Sequence, residues 1–317
     1  MEKRRLGNSD LYTAPIVFGG NVFGWTVGEK QSFKLLDAFF DLGFNAIDTA
    51  DVYSRWVDDN EGGESEAIIG KWMKDRGNRN KVLLITKVGS DMGQGKRDLS
   101  RDYILKAVDK SLGRLQTDYI DLYLTHFDVE LTPVEETLEA HGELIKAGKI
   151  RWAGASNLSP ERLKFSLEAS KKDGSLPRYE VFQPEYNLCD RQGFEEGVAP
   201  ICKEHGLGII TYYSLASGFL SGKYRGHKDL SKSPRGENVK KYLDDRGKRI
   251  LSALDEASKE YNTTPAALSL RWLMNKPGIT APIASATKVE HIESFREAVE
   301  LDLSQESMRK LDKASRW

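Results

Sequence analysis

Side chains that can move a proton stand at the ends of three consecutive apolar stretches of this 317-residue chain. "FNAID" ends at Asp48, "VLLITK" at Lys87 and "IDLYLTH" at His126, and Tyr53 follows closely after Asp48. A phenol ordinarily loses its proton at about pH 10, but a lysine cation lowers that pKa and an aspartate holds the lysine charged and oriented. With His126 to align a substrate oxygen, the set predicts proton transfer to a carbonyl group. The reductant or nucleophile must then come from outside the chain.

The stretches that end in these residues have the pattern of buried parallel strands. Eight short apolar runs alternate with amphipathic segments of helical spacing. Eight consecutive strand–helix units favour one (β/α)8 TIM barrel domain over residues 1–317, with its chemistry at the C-terminal ends of the strands. Period-2 alternation places Asp48, Lys87 and His126 on inner rows, beyond Phe44 and Ala46, Leu83 and Ile85, and Ile120, Leu122 and Leu124 respectively. The runs are 14–20, 44–50, 82–88, 120–127, 150–156, 179–186, 207–213 and 280–286.

Two segments lie outside this repeat. The N-terminal residues 4–15 are expected to form a β-hairpin that closes the barrel bottom. The polar stretch 217–246 is expected to form a long loop after strand seven, either a lid or a disordered segment. Hydroxyl residues followed by proline predict helix starts at Ser159, Thr264 and Thr132, the last with Glu135 as a capping box.

Composition excludes several classes of function. Lysine and arginine number 47 against 48 acidic residues, so no basic excess exists to bind nucleic acid. The two cysteines have no zinc-ligand spacing. No apolar stretch is long enough to span a membrane and the N-terminus lacks a signal-peptide pattern, so we expect a cytoplasmic protein. No G-x-G-x-x-G fingerprint is present, and "GSDMGQGKR" (89–97) is interpreted as an ordinary glycine-rich loop rather than a phosphate site.

Taken together, several motifs resemble the aldo-keto reductase superfamily, whose members are (β/α)8 barrels. They are "GFNAIDTADVY", "ITK" and "DLYLTH", joined by "RRLGNSDL", "GKIRWAGASN", "QPEYN" and "SGFLSGKY", and they extend over nearly the whole chain. The resemblance is to the short-tailed bacterial-type branch and also to potassium-channel β-subunits. It implies Tyr53 as general acid/base, Lys87 and Asp48 as its tuning pair, and His126 as the group that orients the carbonyl. The implied reaction is reversible, NAD(P)H-dependent reduction of aldehydes and ketones.

The resemblance also implies where a nicotinamide cofactor binds. Ser156, Asn157 and Gln183 are expected to hold the carboxamide, with Tyr212 stacked on the ring. The arginine that many relatives carry after strand eight is absent, and Phe295 stands where asparagine is frequent. NADPH is therefore expected with less preference over NADH than usual. The other implied cofactor contacts are Gly20, Asn21, Asp48, Ser214, Leu215, Ser217, Lys223, Arg235, Ser285, Thr287, Lys288 and His291.

The expected substrate is a small carbonyl compound or alcohol, received by an open aromatic pocket of Phe23, Trp25 and Trp56. Two other interpretations stay open. Lys87 at a strand end also suits a Schiff-base aldolase or lyase. A regulatory binding protein like the potassium-channel β-subunits would keep the same four residues. The sequence does not indicate an oligomeric state.

Overall fold

Eight of the ten strands close into a parallel barrel in the computed structural model, which describes residues 1–317. The strands are β1 (Arg4–Arg5), β2 (Tyr12–Thr13), β3 (Val17–Gly19), β4 (Ala46–Asp48), β5 (Leu83–Val88), β6 (Ile120–Thr125), β7 (Ile150–Ser156), β8 (Val181–Gln183), β9 (Gly208–Thr211) and β10 (Ile279–Ala284). Their order around the barrel is β10, β3, β4, β5, β6, β7, β8, β9, and it closes on itself. Each of the eight predicted runs overlaps one barrel strand, which confirms the predicted TIM barrel.

A helix follows every barrel strand. The helices are α1 (Glu29–Asp41), α2 (Glu64–Arg76), α3 (Arg101–Leu115), α4 (Val134–Lys146), α5 (Pro160–Lys172), α6 (Ala199–His205), α7 (Gly236–Val239), α8 (Asp245–Tyr261), α9 (Pro265–Asn275), α10 (Glu290–Glu300) and α11 (Gln305–Ala314). The helices α7, α8 and α11 are additional to the eight-fold repeat, and α8 packs against α11. No helix is both long and apolar enough to cross a membrane.

The barrel interior is filled by alternate residues of the strands, as a period of two requires. Ala46, Leu83, Ile85, Leu122 and Leu124 belong to one buried cluster with residues of β3, β8, β9 and β10. This confirms the inner rows that lead to the polar strand ends.

Two residues predicted for those inner rows lie elsewhere. Phe44 and Ile120 belong to the outer layer between strands and helices. Phe44 precedes β4 and stacks on Phe39 with ring centroids 4.5 Å apart, so strand alternation does not apply to it. Ile120 is the first residue of β6, at the bottom of the barrel.

The N-terminal hairpin closes the barrel bottom, as predicted. β1 pairs antiparallel with β2, and the turn between them places Leu6 and Leu11 in the interior cluster. Gly7 has φ +57°, and a Cβ there would lie 2.2 Å from the carbonyl oxygen of Glu180. Only glycine allows this turn to approach the bottom of β8 so closely.

Two of the three predicted helix caps form. Ser159 Oγ accepts a hydrogen bond from the Arg162 backbone N–H, and Thr264 Oγ1 accepts one from Ala267. The prediction of a capping box at Thr132 is wrong. The helix α4 begins at Val134, one residue later than predicted, and Pro133 occupies the N-cap position without a side-chain cap. Thr132 then lies outside the helix, too early in the chain for its hydroxyl to reach the first turn.

The long connection after β9 is an ordered segment rather than an open loop. It contains 3₁₀ turns at Ala216–Ser221, His227–Lys232 and Lys240–Tyr242 as well as α7. Apolar side chains anchor it to the outer core, since Phe219, Leu220, Tyr224, Val239 and Tyr242 are all buried there. The expectation of disorder is wrong because these side chains bury enough apolar surface to fix the backbone.

Candidate active site

Lys87 forms the centre of a polar cluster at the C-terminal ends of β4 and β5. Its side chain is fully buried, and Nζ lies 2.7 Å from Asp48 Oδ2, 2.7 Å from the carbonyl oxygen of Thr49 and 2.9 Å from the Tyr53 hydroxyl oxygen. The strand register brings Asp48 opposite Ile85, two residues before Lys87. A buried ammonium group keeps its charge only when paired and hydrogen-bonded, and here its three N–H donors have three acceptors.

Tyr53 is held as a protonated phenol. Burial raises its pKa well above 10, and the Asp48 carboxylate, 3.5 Å from the hydroxyl, raises it further. The prediction of a lowered Tyr53 pKa is therefore wrong, because burial has the largest effect on the phenol and the Asp48 carboxylate beside it adds to the rise. Tyr53 therefore carries its proton at neutral pH, with the Lys87 ammonium nitrogen 2.9 Å from its oxygen.

His126 follows β6 and is neutral. Burial holds its pKa well below 6.5, and the charges of Lys87 and Arg97 lower it further. Ser90 Oγ lies 3.1 Å from His126 Nδ1 and has no other acceptor, so we infer that it donates to Nδ1 and leaves the ring proton on Nε2. Nε2 makes no hydrogen bond within the protein and is free to donate to a substrate oxygen. No sequence pattern pointed to Ser90, because it follows Gly89, whose φ of 108° interrupts the strand row.

Gln183 and Ser156 extend the cluster across the barrel. Gln183 Nε2 donates to Asp48 Oδ1 at 2.8 Å, and Ser156 Oγ donates to the Gln183 carbonyl oxygen at 2.8 Å. Both residues end neighbouring strands, since β7 pairs with β8 in the register Ser156 to Gln183. The Asp48 carboxylate thus has a separate donor for each oxygen, Lys87 on one and Gln183 on the other.

Asn157 links this network to the last strands. It has φ +52°, a left-handed conformation that asparagine tolerates better than most residues. Its Nδ2 donates to the His126 carbonyl oxygen at 2.9 Å, and its Oδ1 accepts from the Tyr212 hydroxyl at 2.7 Å. The residues expected to hold the nicotinamide carboxamide are therefore joined by hydrogen bonds to Tyr212, which is expected to stack on the nicotinamide ring. This group lies beside the tetrad residue Asp48.

Gly20, Asn21 and Ser285 meet at the ends of β3 and β10. Ser285 Oγ donates to Asn21 Oδ1 at 2.6 Å. A Cβ at Gly20 would lie 2.9 Å from Ser65 Oγ and 3.1 Å from the Asp48 carbonyl oxygen, so the backbone here passes close to the site. The three residues line the same end of the barrel as the tetrad of Asp48, Tyr53, Lys87 and His126.

The segment after β9 has an unusual backbone. Ala216, Ser217 and Gly218 all have left-handed φ values of 47°, 57° and 93°. Ser214 anchors the turn by donating from Oγ to the Thr211 carbonyl oxygen at 3.0 Å, and Leu215 packs on both outer core clusters. Gly218 adopts this conformation freely, but Ala216 and Ser217 are strained, and strained residues of this kind persist where the surroundings hold them and cluster at ligand sites.

A cationic patch lies further along the same face. Lys223 and Lys288 both lower the pKa of His291 by their charge, after the larger effect of burial, which places the three side chains near one another. The Thr287 backbone N–H points at His291 Nδ1, 3.4 Å away. Two separate chain segments thus contribute positive charge to one region, and this suits a phosphate group.

Arg235 does not join that patch. Its guanidinium lies over the Trp25 ring, 5.3 Å from the centroid, and its Nη2 is buried without a hydrogen-bond partner. The structure brings together the tetrad, and beside it Ser156, Asn157, Gln183 and Tyr212, whereas Arg235 lies over Trp25 at the mouth.

Trp25 and Trp56 lie at the mouth as predicted, with ring centroids 5.7 Å apart. Phe23 does not. Its side chain is fully buried and stacks on Phe18 at 5.3 Å, so its assignment to the substrate pocket is wrong. The 3₁₀ turn Gly20–Val22 carries Phe23 into the outer core, whereas Trp25 follows Gly24, whose φ of +75° turns the chain outward.

Asp51 is a buried carboxyl group that the sequence reasoning missed. Neither of its carboxyl oxygens has a hydrogen-bond partner, although its backbone N–H donates to the Lys87 carbonyl oxygen at 3.3 Å. Burial raises the pKa of Asp51 well above 3.8, and the Glu66 carboxylate adds to this. Folding therefore favours the protonated form of this group, and nothing in its local sequence distinguishes it from an ordinary turn aspartate.

Asp51→Asn is expected to make protein stability less sensitive to pH. The pKa of Asp51 is higher in the folded protein than in the unfolded chain. The stability that Asp51 contributes is therefore fully present below its unfolded pKa and is lost as pH rises towards its folded pKa. Between these two pKa values the free energy of unfolding falls by about 1.4 kcal/mol per pH unit. Urea unfolding of the wild type and the variant at mildly acidic and mildly alkaline pH measures this. The variant's advantage should grow with pH, and exposed Asp58→Asn serves as the control. A pH-independent difference would contradict the assignment.

Comparison with known proteins adds independent findings. The Aldo/keto reductase family model matches residues 15–316, which includes all eight barrel strands. Aldo-keto reductase YhdN of Bacillus subtilis is 34% identical over 300 residues, covering 93% of this chain and 86% of that protein. Norsolorinic acid reductase of Aspergillus flavus is 31% identical over 323 residues, covering 97% and 79%. A probable voltage-gated potassium channel subunit beta of Oryza sativa subsp. japonica is 33% identical over 311 residues, covering 95% and 92%.

Proposed function

The chain belongs to the aldo/keto reductase family and is an oxidoreductase, and on that premise we propose that it reduces aldehydes and ketones to alcohols, reversibly, with NADPH or alternatively NADH. The observation that carries the proposal is the buried Lys87 ammonium, 2.7 Å from Asp48 and 2.9 Å from the Tyr53 hydroxyl. This geometry supports a proton donor whose conjugate base is stabilised within the site.

In this proposal Tyr53 is the general acid. Its phenol gives a proton to the substrate oxygen as negative charge develops there. The phenolate that remains lies 2.9 Å from Lys87 Nζ, and Asp48 together with the Thr49 carbonyl oxygen keeps that ammonium charged and fixed. In alcohol oxidation the same groups act in reverse, with Tyr53 taking up the proton.

His126 orients the substrate. Its ring is neutral, and the inferred hydrogen bond from Ser90 Oγ to Nδ1 keeps the ring proton on Nε2, where it is free to donate. The ring centroids of His126 and Tyr53 lie 6.2 Å apart, and in this proposal one carbonyl oxygen accepts from both side chains. A neutral donor polarises the carbonyl without competing with Tyr53 as the proton source.

The residues present fit a nicotinamide cofactor. Ser156, Asn157 and Gln183 offer amide and hydroxyl groups beside the acid, and Tyr212 offers an aromatic face. The patch of Lys223, Lys288 and His291 and the left-handed turn Ala216–Gly218 suit the phosphate groups, with Gly20, Asn21, Ser214, Leu215, Ser285 and Thr287 as further proposed contacts. When bound, the cofactor supplies the hydride for the carbonyl carbon. Arg235, also implied as a contact by the resemblance, lies over the Trp25 ring instead of in this patch.

The Schiff-base alternative is disfavoured by the surroundings of Lys87. An amine nucleophile needs a free lone pair and access to the substrate. Lys87 is fully buried, and all three of its N–H donors are taken by Asp48, Thr49 and Tyr53.

A regulatory role is the second candidate. The similarity to plant proteins named probable voltage-gated potassium channel subunit beta favours it. Slow turnover together with a stable protein partner would support that role, and fast turnover without such a partner would support the reductase.

Steady-state assays with a panel of aliphatic and aromatic aldehydes and ketones test the proposed function. We expect loss of reduced-nicotinamide absorbance with several aldehydes, and a modest rather than absolute preference for NADPH over NADH, since residues 285–295, which directly follow β10, contain no arginine. Lys288→Ala should reduce affinity for NADPH more than for NADH. If no carbonyl compound consumes either cofactor, and no alcohol reduces the oxidised forms, the proposal is wrong.

A further inference from the structure

Five ring side chains form a continuous wall around the barrel mouth. Neighbouring centroids lie 5.7 Å apart for Trp25 and Trp56, 5.9 Å for Trp56 and Tyr53, 6.2 Å for Tyr53 and His126, and 4.4 Å for His126 and Phe127. Trp56 is 50% exposed, so the wall borders open space rather than a closed core. A flat aromatic group can lie against this wall while its carbonyl group reaches the two proton-bearing residues.

Arg97 stands at the Phe127 end of the wall. Its guanidinium carbon lies 4.0 Å from the Phe127 ring centroid. The guanidinium forms no ion pair and no hydrogen bond within the protein. The carboxylates closest to it in sequence have other partners: Asp91 accepts from backbone N–H groups and Asp98 accepts from the Ser100 N–H. All five N–H donors of Arg97 are therefore available to an anion.

The loop that carries Arg97 is a built structure. Asp91 Oδ1 accepts from the Gly93 N–H at 2.8 Å and the Gly95 N–H at 3.0 Å, and Gln94 Nε2 donates to the Ser90 carbonyl oxygen at 3.1 Å. This is the glycine-rich run 89–97, whose sequence fitted no phosphate-binding motif. Its glycines allow the turns that hold Arg97 over Phe127, with φ +107° at Gly93 and φ +74° at Gly95.

We propose that Arg97 is an anion-binding residue of the substrate mouth, and that the preferred substrates are aromatic aldehydes and ketones bearing a carboxylate. The planar guanidinium matches a carboxylate in a two-pronged hydrogen-bonded pair. Phe127 supports the substrate ring between that pair and the proton donors. Arg235 at the other end of the wall lies over Trp25, and its Nη2 is buried, whereas Arg97 is exposed and faces open space. The inference rests on the proposed function, because it concerns the substrate of the same site.

Kinetics with a matched pair of substrates test the proposal. In the wild type, kcat/KM should be at least about tenfold higher for 4-carboxybenzaldehyde than for benzaldehyde, because the carboxylate lowers KM. Added salt should reduce this ratio, because it screens the attraction between the carboxylate and Arg97. Arg97→Gln should remove the preference by lowering kcat/KM for 4-carboxybenzaldehyde to the level for benzaldehyde. Lys96→Gln, which removes the neighbouring exposed charge of the same loop, should keep the preference. Equal kcat/KM for the two substrates in the wild type, or a preference retained in R97Q, would overturn the proposal.

A binding measurement separates this inference from the proposed function. Benzoate should quench the fluorescence of Trp25 and Trp56 in the wild type and in K96Q, and bind R97Q about tenfold more weakly. If no carbonyl compound is reduced but benzoate binding still depends on Arg97, the proposed reductase activity fails and the subsite stands. The subsite is excluded if benzoate fails to bind the wild type and R97Q, or if it binds the two equally well.

Discussion

Tyr53→Phe is expected to lower kcat for carbonyl reduction by about 10²–10⁴-fold. The substitution removes only the hydroxyl oxygen, so the ring still packs on Trp56 and Lys87 keeps Asp48 and the Thr49 carbonyl oxygen as partners. Binding of NADPH, followed by tryptophan fluorescence, should change little. A loss of kcat without loss of cofactor affinity is the result expected for a proton donor.

Tyr213→Phe provides the matched control. Tyr213 is 45% exposed, and its ring lies 5.3 Å from Tyr212, outside the tetrad. It should retain near wild-type kcat. Wild-type turnover in Y53F, or equal losses in both variants, would show that Tyr53 is not the acid.

Lys87→Met is expected to impair both chemistry and stability. Without the ammonium group the phenolate of Tyr53 has no neighbouring cation, and loss of one such donor costs about 10²–10³-fold in kcat. The Asp48 carboxylate, only 2% exposed, keeps Gln183 as a donor but loses its countercharge. Breaking a buried ion pair in this way lowers the free energy of unfolding by about 3–5 kcal/mol.

The double variant Asp48→Asn with Lys87→Met separates these two effects. Removing both charges should recover most of the lost stability in urea unfolding, because no unpaired charge stays buried. Turnover should stay as low as in Lys87→Met, because the cation is still missing. Recovery of turnover along with stability would mean that Lys87 serves the fold alone.

The parts of this protein that depend on local sequence could be predicted. Each barrel strand is an apolar run whose burial needs no knowledge of its neighbours, and the caps at Ser159 and Thr264 are set by residues within one helical turn. The cap at Thr132 failed because a start displaced by one residue removes the hydroxyl from reach. Phe23 and Trp25 are equally aromatic and two residues apart, yet the turn between them sends one into the core and the other to the mouth.

The electrostatic properties of the site could not be predicted from local sequence, because the pKa of a group depends on its burial and on all charges and hydrogen-bond partners around it. Lysine beside tyrosine suggested a lowered Tyr53 pKa, whereas burial and Asp48 raise it. Ser90 reaches His126 from a separate loop, and Asp51 is distinctive only because it is buried without a partner. Arg97 stands over Phe127 only because an intervening loop folds on itself.

"NAIDTADVY", with "ITK" and "DLYLTH", by itself determined which residues could carry proton chemistry and which strands would deliver them. Their positions at the C-terminal ends of three parallel strands are enough to place Asp48, Lys87 and His126 at one end of a barrel. Only the tertiary structure decided their protonation, their hydrogen-bond partners and the shape of the mouth above them. Those properties arise from desolvation and from contacts between residues distant in the chain, such as Gln183 with Asp48, which no local spacing encodes.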